Sequence, residues 1–149
     1  MLKKLGLAAV ISVAAAAPAW AQSSNCGGEP IPPDVPSVAA LGQMSPADAQ
    51  KAKHQAFLDV TSWQKNGLKD YRSCLDADEN QAKRDRANAA SQSKPDQDRI
   101  KRIDAQIADD EKANTRSTDT EEHVVNDFHA LSTAFCARPD VDKSSCPKS

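Results

Sequence analysis

Apolar residues along this chain fall into two periodic stretches separated by a polar middle, and their spacing predicts two helices. The second stretch is the clearer. Ile100, Ile103 and Ile107 follow heptad spacing, and counting on by four and three reaches Val124, Phe128, Leu131 and Phe135 without a slip. Between those apolar ends the same seam carries Asp110, Asn114, Ser117 and Glu121, a run that predicts a wet, loosely packed or bent middle. In the first stretch Phe57, Val60, Leu68, Tyr71 and Leu75 recur at spacings of one helical face, with Trp63 beside it. Gly67 interrupts this run. It either ends or bends the helix, or lets a neighbouring backbone come close.

Start and stop signals agree with the periodicity. Ser45 is placed to cap, Pro46 takes the first helical position and Asp48 puts an acid at the third. Residues 76–92 are polar on all sides and predict a solvated helix. Ser91, Gln92, Ser93, Lys94 and Pro95 then break the chain, and Asp96 and Asp98 begin a new helix. With the turn centred near Gln92, antiparallel pairing sets Phe128 beside Phe57, Val124 beside Val60 and Asn114 near Tyr71. The expected fold is therefore all-α: a long, coiled-coil-like antiparallel hairpin of two helices over 45–137, with an apolar base and a polar tip around residues 80–105. Upstream, four prolines in CGGEPIPPDVP predict an extended arm over 22–44. Laid across the base, it supplies a third layer to a body that otherwise buries little.

The beginning of the chain changes the later counts. Lys3 and Lys4 precede an apolar run over 5–17, which is short of the roughly 20 residues a membrane span needs. Pro18 and the small-x-small sequence Ala19, Trp20, Ala21 follow, as in a secretory signal peptide cut after Ala21. The expected mature protein is periplasmic or secreted, with no membrane span after signal removal. Cutting there removes two lysines and no acid, leaving 17 basic against 21 acidic residues and a net charge near −4. Such a balance, with no basic stripe, argues against nucleic-acid binding. Only three Phe, one Trp and one Tyr remain, too few for a thick core.

Four cysteines in an exported chain read as structural bridges, and reach separates the three possible pairings. In the hairpin register Cys136 lies about 39 Å beyond the level of Cys74 at 1.5 Å per residue, too far for a bond. Cys26 reaches Cys74 easily, since an arm of that length spans about 59 Å. That leaves Cys136 with Cys146, closing a C-terminal loop and tail over 138–149. A loop of that size contributes on the order of 2 to 3 kcal/mol. A sharp bend at Gly67 would reopen the choice.

Cys-x-x-x-Pro-x-Pro-Pro from Cys26, and a helix carrying Tyr71, Arg72, Ser73, Cys74 and Leu75, resemble a family of small exported bacterial proteins that look like long helical hairpins. The run Val124, Val125, Asn126, Asp127, Phe128 is similar to that family's apolar segment in the second helix, with His129 standing where an Asn is common. The resemblance implies the fold and a Cys26–Cys74 bridge, and carries no assigned activity. Members often have just those two cysteines, so the Cys136 and Cys146 pair is a departure.

Candidate chemistry is sparse. No Cys-x-x-Cys, Gly-x-Ser-x-Gly or phosphate-cradling glycine loop occurs. Acid runs such as Asp109, Asp110 and Glu111 read as solvated helix faces, and the expectation is a protein that is not an enzyme and carries no cofactor. Of three histidines, the hairpin register brings His54 level with His129, a weak transition-metal candidate. The leading functional expectation is a structural or interaction protein of the bacterial cell envelope, meeting an envelope partner or a second copy through the unfilled seam. The alternative is a periplasmic protein that binds a small ligand or a metal at the aromatic base around Phe57, Trp63, Tyr71 and Phe128.

Overall fold

A computed structural model describes residues 25–146; the expected export signal over 1–21 lies outside the described residues. The regular structure of those residues is all helical, with no strand, and two disulfides tie the chain together. We number the helices α1 (Val38–Gln43), α2 (Pro46–Ser62), α3 (Lys69–Ala90) and α4 (Gln97–Ala137), with a single π turn, Trp63–Leu68, joining α2 to α3. A short 3-10 turn, Lys143–Ser145, follows. Among the described residues no helix is long and apolar enough to cross a membrane.

The caps are made as their residue types predict. The Ser45 hydroxyl accepts the Asp48 N–H at 3.2 Å and donates to the Asp48 carboxylate at 2.7 Å, which closes the first turn of α2. Asp96 accepts the N–H groups of Asp98 and Arg99 at 3.1 and 3.0 Å and so starts α4.

The π turn corrects the reading of the first helix as one uniform face. Ala49, Lys53, Ala56, Val60 and Trp63 are buried at spacings of four and three. Continuing that count would bury Gly67, Asp70 and Cys74. The buried residues are instead Leu68, Tyr71 and Leu75, with Ala82 and Ala89 following at sevens, each one place later. A π turn absorbs one extra residue and keeps both stretches facing α4. Phe57, in phase with Leu68 and Tyr71 under uniform counting, is thereby rotated toward solvent and is 50% exposed. Gly67 sits within this turn because the arm crosses it: a Cβ there would lie 3.2 Å from Pro30 Cβ. The Trp63 indole N–H donates to the Pro30 carbonyl at 3.3 Å.

The arm is not extended throughout 22–44, as its prolines suggested. Ser37 caps α1 by accepting the Ala40 N–H at 3.1 Å, and that turn of helix delivers Leu41 into a cluster with Ala49, Ala56, Leu131 and Phe135. Burying Leu41, at 1% exposure, is worth about 2 kcal/mol. It outweighs any preference for an extended backbone. Farther back, Glu29 accepts from Arg116 at 2.9 Å, and Cys26 is bonded to Cys74. Two more small clusters lie along the helices: Val60, Trp63, Leu68 and Val124, then Tyr71, Leu75 and Ala113 with Cys26 against it.

The seam of α4 is filled within the chain, including its polar middle. Val124, Leu131 and Phe135 are buried, and Asp110 and Ser117 are each 0% exposed. The expected wet or bent middle is instead a network. Arg72 Nε donates to Ser117 Oγ at 2.9 Å and its Nη1 to Glu121 at 2.6 Å, while Gln64 donates to the other Glu121 oxygen at 2.7 Å. Burial pushes the Glu121 carboxyl upward, but the bonds from Arg72 and Gln64 and the Arg72 charge hold it below its usual value.

Arg138 fastens the arm to the end of α4. Its guanidinium donates to the Leu41 and Met44 carbonyls at 2.7 and 3.1 Å and is oriented by Asp140 at 2.8 Å. Arg138→Ala is expected to lower the urea midpoint of unfolding, since charged donors to the Leu41 and Met44 carbonyls are lost. Urea unfolding followed by Trp63 emission measures it. A midpoint indistinguishable from that of the parent, as for an ordinary surface substitution, would refute the latch.

Candidate functional site

Beside the Leu41 cluster the chain leaves an open groove of about 580 Å³. Three segments far apart in sequence build it. From α2 come Gln50, Lys53, His54 and Phe57, spaced so that they share one side of the helix. From α4 come Phe128 and Ser132, one turn apart, and the C-terminal loop adds Ser144 and Cys146. The Cys136–Cys146 bond, with Cα atoms 5.8 Å apart, holds that loop against the end of α4 and so sets the groove's end wall.

The floor is aromatic. Phe57 and Phe128 meet at a ring-centroid distance of 6.2 Å with planes tilted 41°, within the distance range of favourable aromatic pairs. Phe128 also packs against the clusters that hold Leu131 and Trp63, so the groove is mechanically continuous with the core. Lys53 is the unusual member. Its stem is buried and its ammonium lies 4.8 Å from the centroid of Phe135, over the ring face. Burial lowers its pKa from the ordinary lysine value.

The other residues singled out in the sequence distribute as follows. Trp63 and Tyr71 are buried in neighbouring clusters and do not line the groove. His54 and His129 are both exposed; His54 lines the groove, and His129 is not among its described lining residues. Among the described residues no set of three or more His, Cys, Asp or Glu is arranged to hold a metal ion. Lys53, Gln50 and Ser132 had no place in the sequence reading. Only the spacing of Gln50, Lys53, His54 and Phe57 on one side of α2 could have suggested them.

A second polar position stands apart from the groove. Asp110 is 0% exposed and neither carboxylate oxygen has a hydrogen-bond partner. Burial raises its pKa from 3.8 to about 6, helped by the charges of Asp78, Glu79 and Asp109. Chemically it is a carboxyl that keeps its proton to higher pH than an ordinary aspartate.

No family model, no curated protein and no solved structure matches this chain.

Proposed function

We propose that the protein is an exported, non-enzymatic interaction protein of the bacterial cell envelope, periplasmic or secreted, whose contact surface is the base of an antiparallel helical hairpin. The hairpin is supported by cross-contacts whose numbers fall along one helix as they rise along the other: Arg86 with Asp104, Arg72 with Ser117, Gln64 with Glu121, Phe57 with Phe128. Export is supported by the signal-like start of the sequence and by two disulfides, bonds that persist in oxidising compartments. The resemblance to small exported hairpin proteins belongs to the same reading.

One observation carries the choice of surface. Phe57 and Leu58, 50% and 45% exposed, stand in the open beside the groove while the seam is occupied from within. A partner helix therefore has no seam to complete, and Phe57 and Leu58 at the base are two of the four large apolar side chains exposed among the described residues, Ile31 and Val38 in the arm being the others. A photoreactive benzoylphenylalanine in place of Phe57 is expected to trap a discrete adduct in living cells, whether with an envelope protein or a second copy. The same residue in place of Asn88, exposed near the tip, is expected to trap none. Equal labelling from both positions, or none from position 57, would sink the interaction reading.

A second reading, a periplasmic protein that binds a small ligand, is favoured by the groove itself. Its volume of about 580 Å³ falls within the range of about 300–1,000 Å³ usual for ligand sites.

A further inference from the structure

We propose that the groove at the base receives the proline arm of a second copy of this chain, with Ile31 and Pro32 seated against Phe57 and Phe128 and Asp34 facing the bases of α2. This rests on the interaction reading above and names both the partner and the surface it offers.

Exposed large apolar side chains occur in two places among the described residues. Ile31 and Val38 stand out from the arm, at 89% and 48% exposure, and Phe57 and Leu58 stand beside the groove. A single chain cannot bring its own two places together. Val35 and Leu41 hold the arm on the side of α2 that carries Ala49 and Ala56, and the Trp63 indole holds Pro30. Gln50 and Phe57 each follow one of those alanines by one place, about 100° around the helix, so the groove opens on a side that the arm does not cover. With its backbone so held and its side chain in water, Ile31 can meet a Phe57 only in another molecule.

The charges agree. Between Asn25 and Met44 the arm carries Glu29 and Asp34 and no basic residue. Glu29 is taken by Arg116 at 2.9 Å, whereas Asp34 is exposed, three places after Ile31. The described lining of the groove includes no carboxylate, and Lys51, His54 and Leu58 follow one another along the exposed side of α2 at spacings of three and four. An apolar residue followed by an acid thus meets an apolar wall flanked by bases.

The arm also suits an aromatic groove in its stiffness. Pro30, Pro32 and Pro33 fix φ on both sides of Ile31, so little conformational freedom is lost on docking, and proline-rich segments laid into aromatic-lined grooves are a recurrent mode of recognition. Because the two surfaces differ, the contact is heterologous: a pair closes by making it twice, and otherwise a third copy can add.

Sedimentation velocity of the oxidised exported chain tests this, at concentrations up to about 1 mM, high enough to populate a contact of small area. The parent is expected to associate as concentration rises. Ile31→Ser and Phe57→Ser, each removing one side of the contact, are expected to stay monomeric alone. An equimolar mixture of the two is expected to regain pairs and nothing larger, since one productive contact is left between them. Asp34→Lys is expected to weaken association about tenfold. If Phe57→Ser does not fold, Ser132→Glu on the opposite wall takes its place. A parent that is monomeric throughout, a mixture that stays monomeric, or an Ile31→Ser or Asp34→Lys chain that associates as the parent does, overturns the proposal. Association lost with Phe57→Ser but kept with Ile31→Ser would mean that two grooves meet face to face, and overturns it equally. The crosslinking at position 57 judges the broader reading separately: an adduct with an envelope protein beside a monomeric parent overturns the second copy and leaves the base a contact surface.

Discussion

Replacing Cys26 and Cys74 together by serine is expected to lower the unfolding free energy by about 4 kcal/mol, the largest effect we foresee from any change at the surface of the body. The two cysteines are 48 positions apart, so their bond closes most of the arm and the first helix into one loop and removes many conformations from the unfolded chain. The Cys136–Cys146 bond spans only 10. Its loss should be the smaller by about 1 kcal/mol, because loop entropy grows only with the logarithm of length. The double serine variant avoids a free thiol and keeps the side-chain volume nearly constant beside Tyr71, Leu75 and Ala113. Denaturant unfolding of the two double variants against the parent, all fully oxidised, gives both numbers. If the short loop proves the more stabilising, chain entropy is not what these bonds supply, and the account of the arm as a tethered third layer fails with it. The arm should stay docked in the native state of the Cys26 variant, since Glu29 with Arg116, Pro30 with Trp63 and Gly67, and Leu41 in its cluster still hold it.

That prediction uses a pairing that reach along the chain makes legible, and it is worth asking why other features were not. The seam of α4 could be read because heptad spacing is a property of one unbroken helix: each position from Val124 to Phe135 depends only on its neighbours three and four away. The caps at Ser45 and Asp96 are equally local. The face of the first helix could not be read, because one π turn displaces every later residue by a place, and a six-residue stretch WQKNGL has no composition that marks a wider turn. Only Gly67 hinted at it, and what demands a glycine is Pro30, 37 positions earlier in the chain. The short helix α1 was hidden for a related reason: prolines up to Pro36 argue for extension, while Leu41 decides otherwise by what it touches in α4.

The groove was illegible on stricter grounds. Its walls come from residues 50–57, 128–132 and 144–146, and no pattern within one segment encodes their meeting. Lys53 illustrates the difficulty. On a hydropathy scale it belongs to the solvent, yet the residue is buried and its ammonium lies over the face of the Phe135 ring. Asp110 and Ser117 mislead in the same direction. Scored by type they open the seam to water; in place they are fully buried, one within a network supplied by Arg72, the other with no such partner.

Asp110→Asn is accordingly expected to raise the unfolding free energy by about 2 to 3 kcal/mol at pH 7 and to change it little at pH 4. The folded pKa, about 6, stands above the ordinary aspartate value of 3.8 because burial opposes the charge and Asp78, Glu79 and Asp109 add to it. Between those two values the folded chain holds a proton that the unfolded chain has released. Stability therefore falls as pH rises through that window, and above it the full penalty for an uncompensated buried charge is present. Asparagine has nearly the same shape and no charge, so it removes the penalty and with it the slope. Glu121 works in the opposite sense: with its pKa lowered, it contributes stability at neutral pH that is lost as the carboxyl is protonated in acid. It is present in both proteins and cancels from the difference, which is why the comparison at each pH, and not the parent profile alone, is the informative quantity. Urea unfolding of parent and variant at pH 4, 5, 6 and 7 measures it. A constant offset at all four values would mean that asparagine merely packs better, and a variant less stable at pH 7 would mean that the Asp110 charge has a compensating partner. A rising difference fixed between pH 4 and 6 would place an acid-stabilised carboxyl in the middle of the seam, where a buried polar residue also discriminates against slipped registers of the two helices.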